Sequence, residues 1–301
     1  MTKNSVLKGV FLVGLGATSY GMLATFVKIA YSEGFTTPEV TVSQFVYGVI
    51  GMFLILLLQR FKEGNNVAIA SKKSILLLML AGTSLGFTSI FYYLCIKYIP
   101  VSIAIILLMQ TVWMGVLFEV ILERKMLSVQ KIIAVIVVLT GTVLAANIFE
   151  NKIHFNWIGI VLGLLSAASF TTTMITANRL ALHISSVQRS LHMLIGGAIV
   201  VFIFALFTQT TPFNFDIFLK WGIILALFGT VIPPLLFNVG FPYTGIGLGV
   251  IVSALELPVS VLMAYYILNE KVSPIQWLGI VLIILAIVIM NVDFKKIGSN
   301  N

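Results

Sequence analysis

Apolar residues run through this chain in ten blocks, each about long enough to cross a bilayer as a helix. They cover approximately Val10–Ala30, Val40–Gln59, Ser74–Ile96, Val101–Leu122 and Val129–Ile148 in the first half. The second half repeats the count with Trp157–Asn178, Ser186–Thr208, Leu219–Phe241, Gly247–Leu268 and Pro274–Val292. The polar breaks between them are short, and the longest, Arg60 to Lys73, cannot hold a folded domain. The pattern predicts an all-α membrane protein of ten transmembrane helices and no soluble domain.

The halves resemble each other. Tyr93–Gln130 matches Asn238–Gln276, with Tyr98 against Tyr243 at a shift of 145 and Gln130 against Gln276 at 146. Gly9, Ala17 and Ser19 match Gly159, Ala167 and Ser169 at a shift of 150. Residues 1–150 and 151–301 are therefore expected to be two repeats of five helices each. An odd number of crossings turns one repeat upside down relative to the other, which is the recurring plan of secondary transporters.

Composition agrees with lipid as the solvent. Hydrophobic residues make up 59% of the chain and charged ones 9%, against about 25% in a soluble domain; mean hydropathy is +1.10. The net charge of +8 does not point to nucleic acid, because the basic residues lie scattered between the apolar blocks. With the N-terminus in the cytoplasm, 13 of the 18 lysines and arginines fall inside, which sets N-in, C-in. Met1–Lys8 does not read as a cleavable signal. The lone Cys95 offers neither a disulfide framework nor a metal cluster, and no GxxxxGK[ST] nucleotide loop occurs. No metal or cofactor is expected.

The repeated segments also resemble a known family, the EamA-type drug/metabolite transporters. The likeness rests on Lys97–Leu107 (KYIPVSIAIIL) and Ile121–Gln130 (ILERKMLSVQ), with Ala254–Gly279 (ALELPVSVLMAYYILNEKVSPIQWLG) as their counterpart. It covers nearly the whole chain. Two departures stand out: Pro258 comes one residue later than in the family pattern, and the first half carries Gln110 and Thr111 there without proline. The resemblance implies two EamA repeats, a central cavity and alternating access, with no particular substrate.

Glu256 is the residue most out of place, a carboxylate near the middle of an apolar span. A charge there costs a few kcal/mol on insertion scales and by default marks a substrate or ion route. At a shift of 146 its mate is the neutral Gln110. Glu256 is expected to bind a proton or a substrate amine; a plain interhelical bond between Glu256 and Gln110 is the alternative. His192 is a candidate proton relay or a packed, hydrogen-bonded residue. Tyr92, Tyr93, Trp113 and Asn238 are candidates to contact a solute or simply to pack. Pro258 and the pair Pro233–Pro234 are candidate hinges. Lys28 reads as an outer snorkelling residue, Arg179 and Arg189 as inner topology anchors, and Glu123 and Glu270 as surface caps. Glu119 needs a basic partner to offset Glu123 at i+4.

These features point to a secondary transporter in the plasma membrane, of bacterial inner-membrane type. It would export a small polar or amphipathic metabolite, such as an amino acid or related compound. Coupling to protons and facilitated exchange fit equally, as do a monomer and a homodimer, since Gly82/Gly86 and Gly159/Gly163 suit either internal or intermolecular contact. The alternative reading is a flippase for a lipid-linked headgroup. An intramembrane enzyme is disfavoured, because no GxSxG serine, HExxH pair or paired aspartates occur.

Overall fold

The computed structural model describes residues 3–63, 70–99, 101–124, 128–146, 156–269 and 271–291. Among them there is helix and no strand. The first half forms α1 (Lys3–Ser32), α2 (Thr37–Glu63), α3 (Lys72–Tyr98), α4 (Val101–Leu108), α5 (Thr111–Glu123) and α6 (Val129–Ala145). The second forms α7 (Trp157–Arg179), α8 (Ser186–Thr208), α9 (Ile223–Ala226), α10 (Ile232–Ser253), α11 (Glu256–Ile267) and α12 (Pro274–Asn291). Wide π turns, Phe218–Gly222 and Leu227–Val231, flank α9.

Seven helical stretches are long and apolar enough to cross a membrane, and two shorter apolar helices, Val129–Ala145 and Pro274–Met290, accompany them. One of the seven, Phe218–Ile267, has 50 residues. Straight, it would reach about 75 Å, more than twice the hydrocarbon thickness. It is not straight, because Gly245 adopts φ 72° and ψ 173°, which no L-residue takes comfortably.

Polar side chains start several helices where the sequence turns from loop to apolar block. Ser71, Ser128, Asn156 and Ser185 each accept a backbone N–H of the following turn, satisfying donors that would otherwise be orphaned. Large apolar side chains cover the outside, Phe207 and Leu219 at 85% and 84% exposure among them. A water-facing surface of that kind would be an aggregation liability; in lipid it is the ordinary surface.

The helix pairings repeat as the sequence does. Helix α1 packs on α10 while α7 packs on α3, and α2 packs on the α9 region while α8 packs on α3. The pairs α2–α8 and α6–α12 complete the bundle. Exchanging the two repeats returns this same set of pairings. Glycines let the central backbones touch: a Cβ on Gly86 would lie 2.6 Å from the Gly197 carbonyl, and one on Gly141 2.8 Å from that of Gly279. Gly82 faces Met193, Gly159 faces Ile99, and Gly163 faces Leu107. The glycine pairs left open by the sequence thus serve packing within the chain.

Candidate functional site

Both repeats pinch a helix at the same place. Between α4 and α5 the chain tightens at Met109–Gln110, where Gln110 N bonds to Leu107 O at 3.1 Å and Val112 N to Met109 O at 3.0 Å. Between α10 and α11 it tightens at Ala254–Leu255, with Ala254 N on Ile251 O (3.2 Å), Leu255 N on Val252 O (3.1 Å) and Leu257 N on Ala254 O (3.2 Å). These are 3₁₀-type bonds, and such stretches inside helices mark hinges or strain. Pro258 lies just past the second pinch. Its ring leaves the Ala254 carbonyl without the usual donor, and Leu257 supplies one from a residue nearer. The first repeat makes its pinch without proline, so Pro258 accompanies the break and is not its sole cause.

A cavity of about 300 Å³ lies beside the second pinch. Tyr20, Tyr92, Tyr93 and Phe170 give it aromatic walls, and Glu256 and Gln44 give it polar ones. Glu256 is the one carboxylate on that wall among the described residues. Its Oε2 is buried with no hydrogen-bond partner, and the same holds for Gln44 Oε1. Gly21 lets α1 press against the start of α11, since a Cβ there would lie 2.5 Å from the Glu256 carbonyl. Tyr20 meets Phe170 edge-on at 5.8 Å and Phe237 at 5.7 Å, and Phe237 meets Phe241 at 5.3 Å. Through Tyr20 and Phe170 that aromatic cluster adjoins the cavity wall. At the other end the wall continues to Lys28, Tyr31 and Lys271, where the C-terminal ends of α1, α3 and α6 gather.

The EamA-like transporter family model matches residues 7–147 and again 157–292. The chain belongs to the EamA-like transporter family. It therefore consists of two EamA repeats, and it is an integral membrane transporter and not one of a family of enzymes. A solved crystal structure aligns over 95% of this chain and 97% of its own, with a TM-score of 0.76 and 15% identity; the likeness shows a shared fold. No curated protein matches the sequence.

Within this EamA-like transporter, Glu256, Tyr92 and Tyr93 line the cavity together. Gln110 and Trp113 pair with each other instead: Trp113 Nε1 donates to Gln110 Oε1 at 2.8 Å, and Gln110 Nε2 donates to Ile106 O at 3.0 Å. Neither lines the cavity. Asn238 is buried below it, donating to Ser190 Oγ and Pro234 O at 2.9 Å each. His192 Nδ1 sits 2.7 Å from the Gln188 carbonyl, away from the cavity. Pro233 and Pro234 occupy the first turn of α10, directly after a π turn, and offer no N–H to the carbonyls of that turn. Lys28 stands exposed at the cavity mouth. Glu119 pairs with Lys131 of α6, the partner it needed. Glu270 lies outside the described residues, as does the side chain of Glu123.

Arg189 corrects the expectation of a rim anchor. It is 2% exposed, and its guanidinium donates to Leu180 O at 2.9 Å, Asn238 O at 2.7 Å, Thr176 O at 3.3 Å and the Ala177 carbonyl. These are the last carbonyls of α7 plus one of α10, so a fixed cation caps a helix C-terminus from a neighbouring helix. Asn178 adds a bond from Nδ2 to Phe241 O at 2.7 Å. Together they tie α7, α8 and α10 to one another.

Gln44 and Tyr20 line the cavity besides the residues expected from the sequence. Gln44 carried a usable signal, because it is an amide in the interior of an apolar span, the same anomaly that singled out Glu256. Tyr20 carried none, since a tyrosine in a span reads equally well as packing.

Proposed function

We propose that this EamA-like protein is a secondary transporter that moves a small amphipathic metabolite through the cavity beside Glu256. The observation that carries the reading is Glu256 Oε2 itself, a buried, unpartnered carboxylate oxygen on the wall of an aromatic cavity. An uncompensated acceptor at that depth costs about 1–3 kcal/mol, and more when charged. It is retained at that cost where a cation, a proton or a substrate amine arrives to satisfy it.

Ten spans follow when Phe218–Ile267 is divided at Gly245 and the shorter helices α6 and α12 are counted as crossings. Two five-span repeats then lie inverted, and the paired pinches near Gln110 and Glu256 supply matched hinges. With the N-terminus in the cytoplasm, the cavity mouth at Lys28 and Lys271 faces outward and the Arg189 tie lies inside. Transport then alternates between this outward-open form and one in which the inner tie parts and the outer mouth closes. Export fits a pathway whose inner entry must open before a cytoplasmic solute can reach Glu256.

Uptake and release of a labelled metabolite panel by proteoliposomes, with and without a pH gradient, tests the reading in wild type and Glu256→Gln. The proposal expects transport of at least one amine-bearing solute, lost in Glu256→Gln. Wild-type rates in the variant for every transported solute would overturn it.

A further inference from the structure

Gln44 and Gly229 form a second polar feature of the cavity wall, on the side served by α2. Gln44 is 2% exposed, and its side-chain amide lies over Gly229 with Nε2 nearest, so that a Cβ there would collide with the amide nitrogen and come within 3.0 Å of Cδ. Thr230 locks this contact, donating from Oγ1 to the Gln44 main-chain carbonyl at 3.0 Å and to Ala226 O at 3.1 Å. The glycine is therefore required by the amide above it.

The helix under that amide is short of donors. In the π turn Leu227–Val231, Ile232 N bonds back to Leu227 O. The residues next in line are Pro233 and Pro234, which have no N–H. The Phe228 carbonyl is rescued by Ser19 Oγ at 3.1 Å. The Gly229 carbonyl has Pro233 four residues on and Pro234 five residues on, so neither an α nor a π ladder can reach it. Gln44 Oε1 is also unpartnered. Gln44, Gly229 and Glu256 all line the same cavity. Two acceptors on its wall, Glu256 Oε2 and Gln44 Oε1, thus lack a donor, beside aromatic surfaces that favour cations.

We propose that Gln44 and the Gly229 carbonyl recognise the N–H donors of the transported molecule, which is a protonated amine or guanidinium carrying at least two N–H groups. One N–H meets Glu256, and another meets Gln44 Oε1 once the amide turns about its last torsion, a soft two-fold rotation. A quaternary ammonium has the same charge and aromatic affinity, but leaves the amide and carbonyl unmatched. Sites built to bond an N–H discriminate strongly against analogues that lack it.

The inference rests on the cavity being the transport site, and the two can fail separately. Binding of 2-phenylethylamine and of its N,N,N-trimethyl analogue is measured on the full-length protein in lipid nanodiscs. Wild type is expected to prefer the primary ammonium by at least about tenfold. Gln44→Met is expected to weaken the primary ammonium alone and to reduce the ratio to roughly threefold or less, while Gln44→Glu, which keeps an acceptor, retains the preference and reports on folding. Glu256→Gln is expected to lose both ligands. An unchanged ratio in Gln44→Met, no preference in wild type, or no binding of either amine would overturn the role of Gln44. Unaltered binding of both in Glu256→Gln would instead overturn the cavity as the site.

Discussion

Gln130 and Gln276 do the same job at opposite ends of one helix pair. Gln130, near the start of α6, donates from Nε2 to the Ile289 carbonyl near the end of α12 at 2.6 Å. Gln276, near the start of α12, donates from Nε2 to the Ala145 carbonyl at the end of α6 at 3.1 Å. Each helix start thus caps the other's last turn, where carbonyls have no intrahelical donor. The same repeat relation, a shift of 146, links Glu119 to Tyr265 and Lys131 to Trp277. Glu119 and Lys131 form an ion pair between α5 and α6, and their mates Tyr265 and Trp277 form an edge-on ring contact at 6.3 Å between α11 and α12. One geometry is held by two chemistries.

Removing either glutamine leaves a carbonyl unsatisfied where water is scarce. Gln130→Leu and Gln276→Leu should each cost about 1–3 kcal/mol. Because they act at opposite ends of the pair, the double variant should show nearly additive loss. Midpoints of thermal unfolding followed by tryptophan fluorescence in detergent check this, and an unshifted midpoint in either single variant would count against the caps.

Arg189 should matter more than any other basic residue described. Arg189→Met strands several carbonyls at once and should cost at least about 2 kcal/mol. Arg189→Lys should not restore the loss, since an ammonium cannot reproduce the planar fork that reaches carbonyls of both α7 and α10. The exposed Arg179 provides the contrast: Arg179→Gln should cost less than Arg189→Met, because exposed charge interactions contribute up to about 1 kcal/mol. The monodisperse fraction on size exclusion and the unfolding midpoint separate the two.

Gly86→Val tests whether the small-residue faces belong to the fold or to a dimer. A Cβ 2.6 Å from the Gly197 carbonyl forces α3 and α8 apart, and overpacking of this kind costs about 1–3 kcal/mol. The midpoint should fall while the elution volume of the surviving folded protein stays the same. A changed oligomeric state at full stability would mean that the glycine faces a second copy.

Much of this architecture was legible in the sequence for a simple physical reason. Apolar blocks of bilayer length, and an internal repeat tied by Gln130 and Gln276, are one-dimensional signals. Glu256 was legible too, because a mid-span carboxylate is costly wherever it points. Which polar residues share its cavity was not legible. Gln110 stands opposite Glu256 by repeat arithmetic, yet bonds to Trp113 one turn away on its own helix. Gln44 comes from a different helix and meets Gly229 only through the packing of α2 on the π turn. Arg189 looked like a rim charge because its distance from a helix end is short; the carbonyls that draw it inward belong to α7 and α10. The π turns have no period in the sequence beyond the proline pair that follows them.

The central claim is that the cavity beside Glu256 is a route open in turn to each side of the membrane. The most direct measurement uses Ser260, which lines that cavity. Cys95, the chain's one cysteine, is buried and is replaced by alanine; Ser260→Cys is then labelled with a membrane-impermeant maleimide in right-side-out and inside-out vesicles. The account predicts labelling from both sides, slowed in both by a transported amine. Labelling from one side only, or labelling that no transported solute slows, would contradict it.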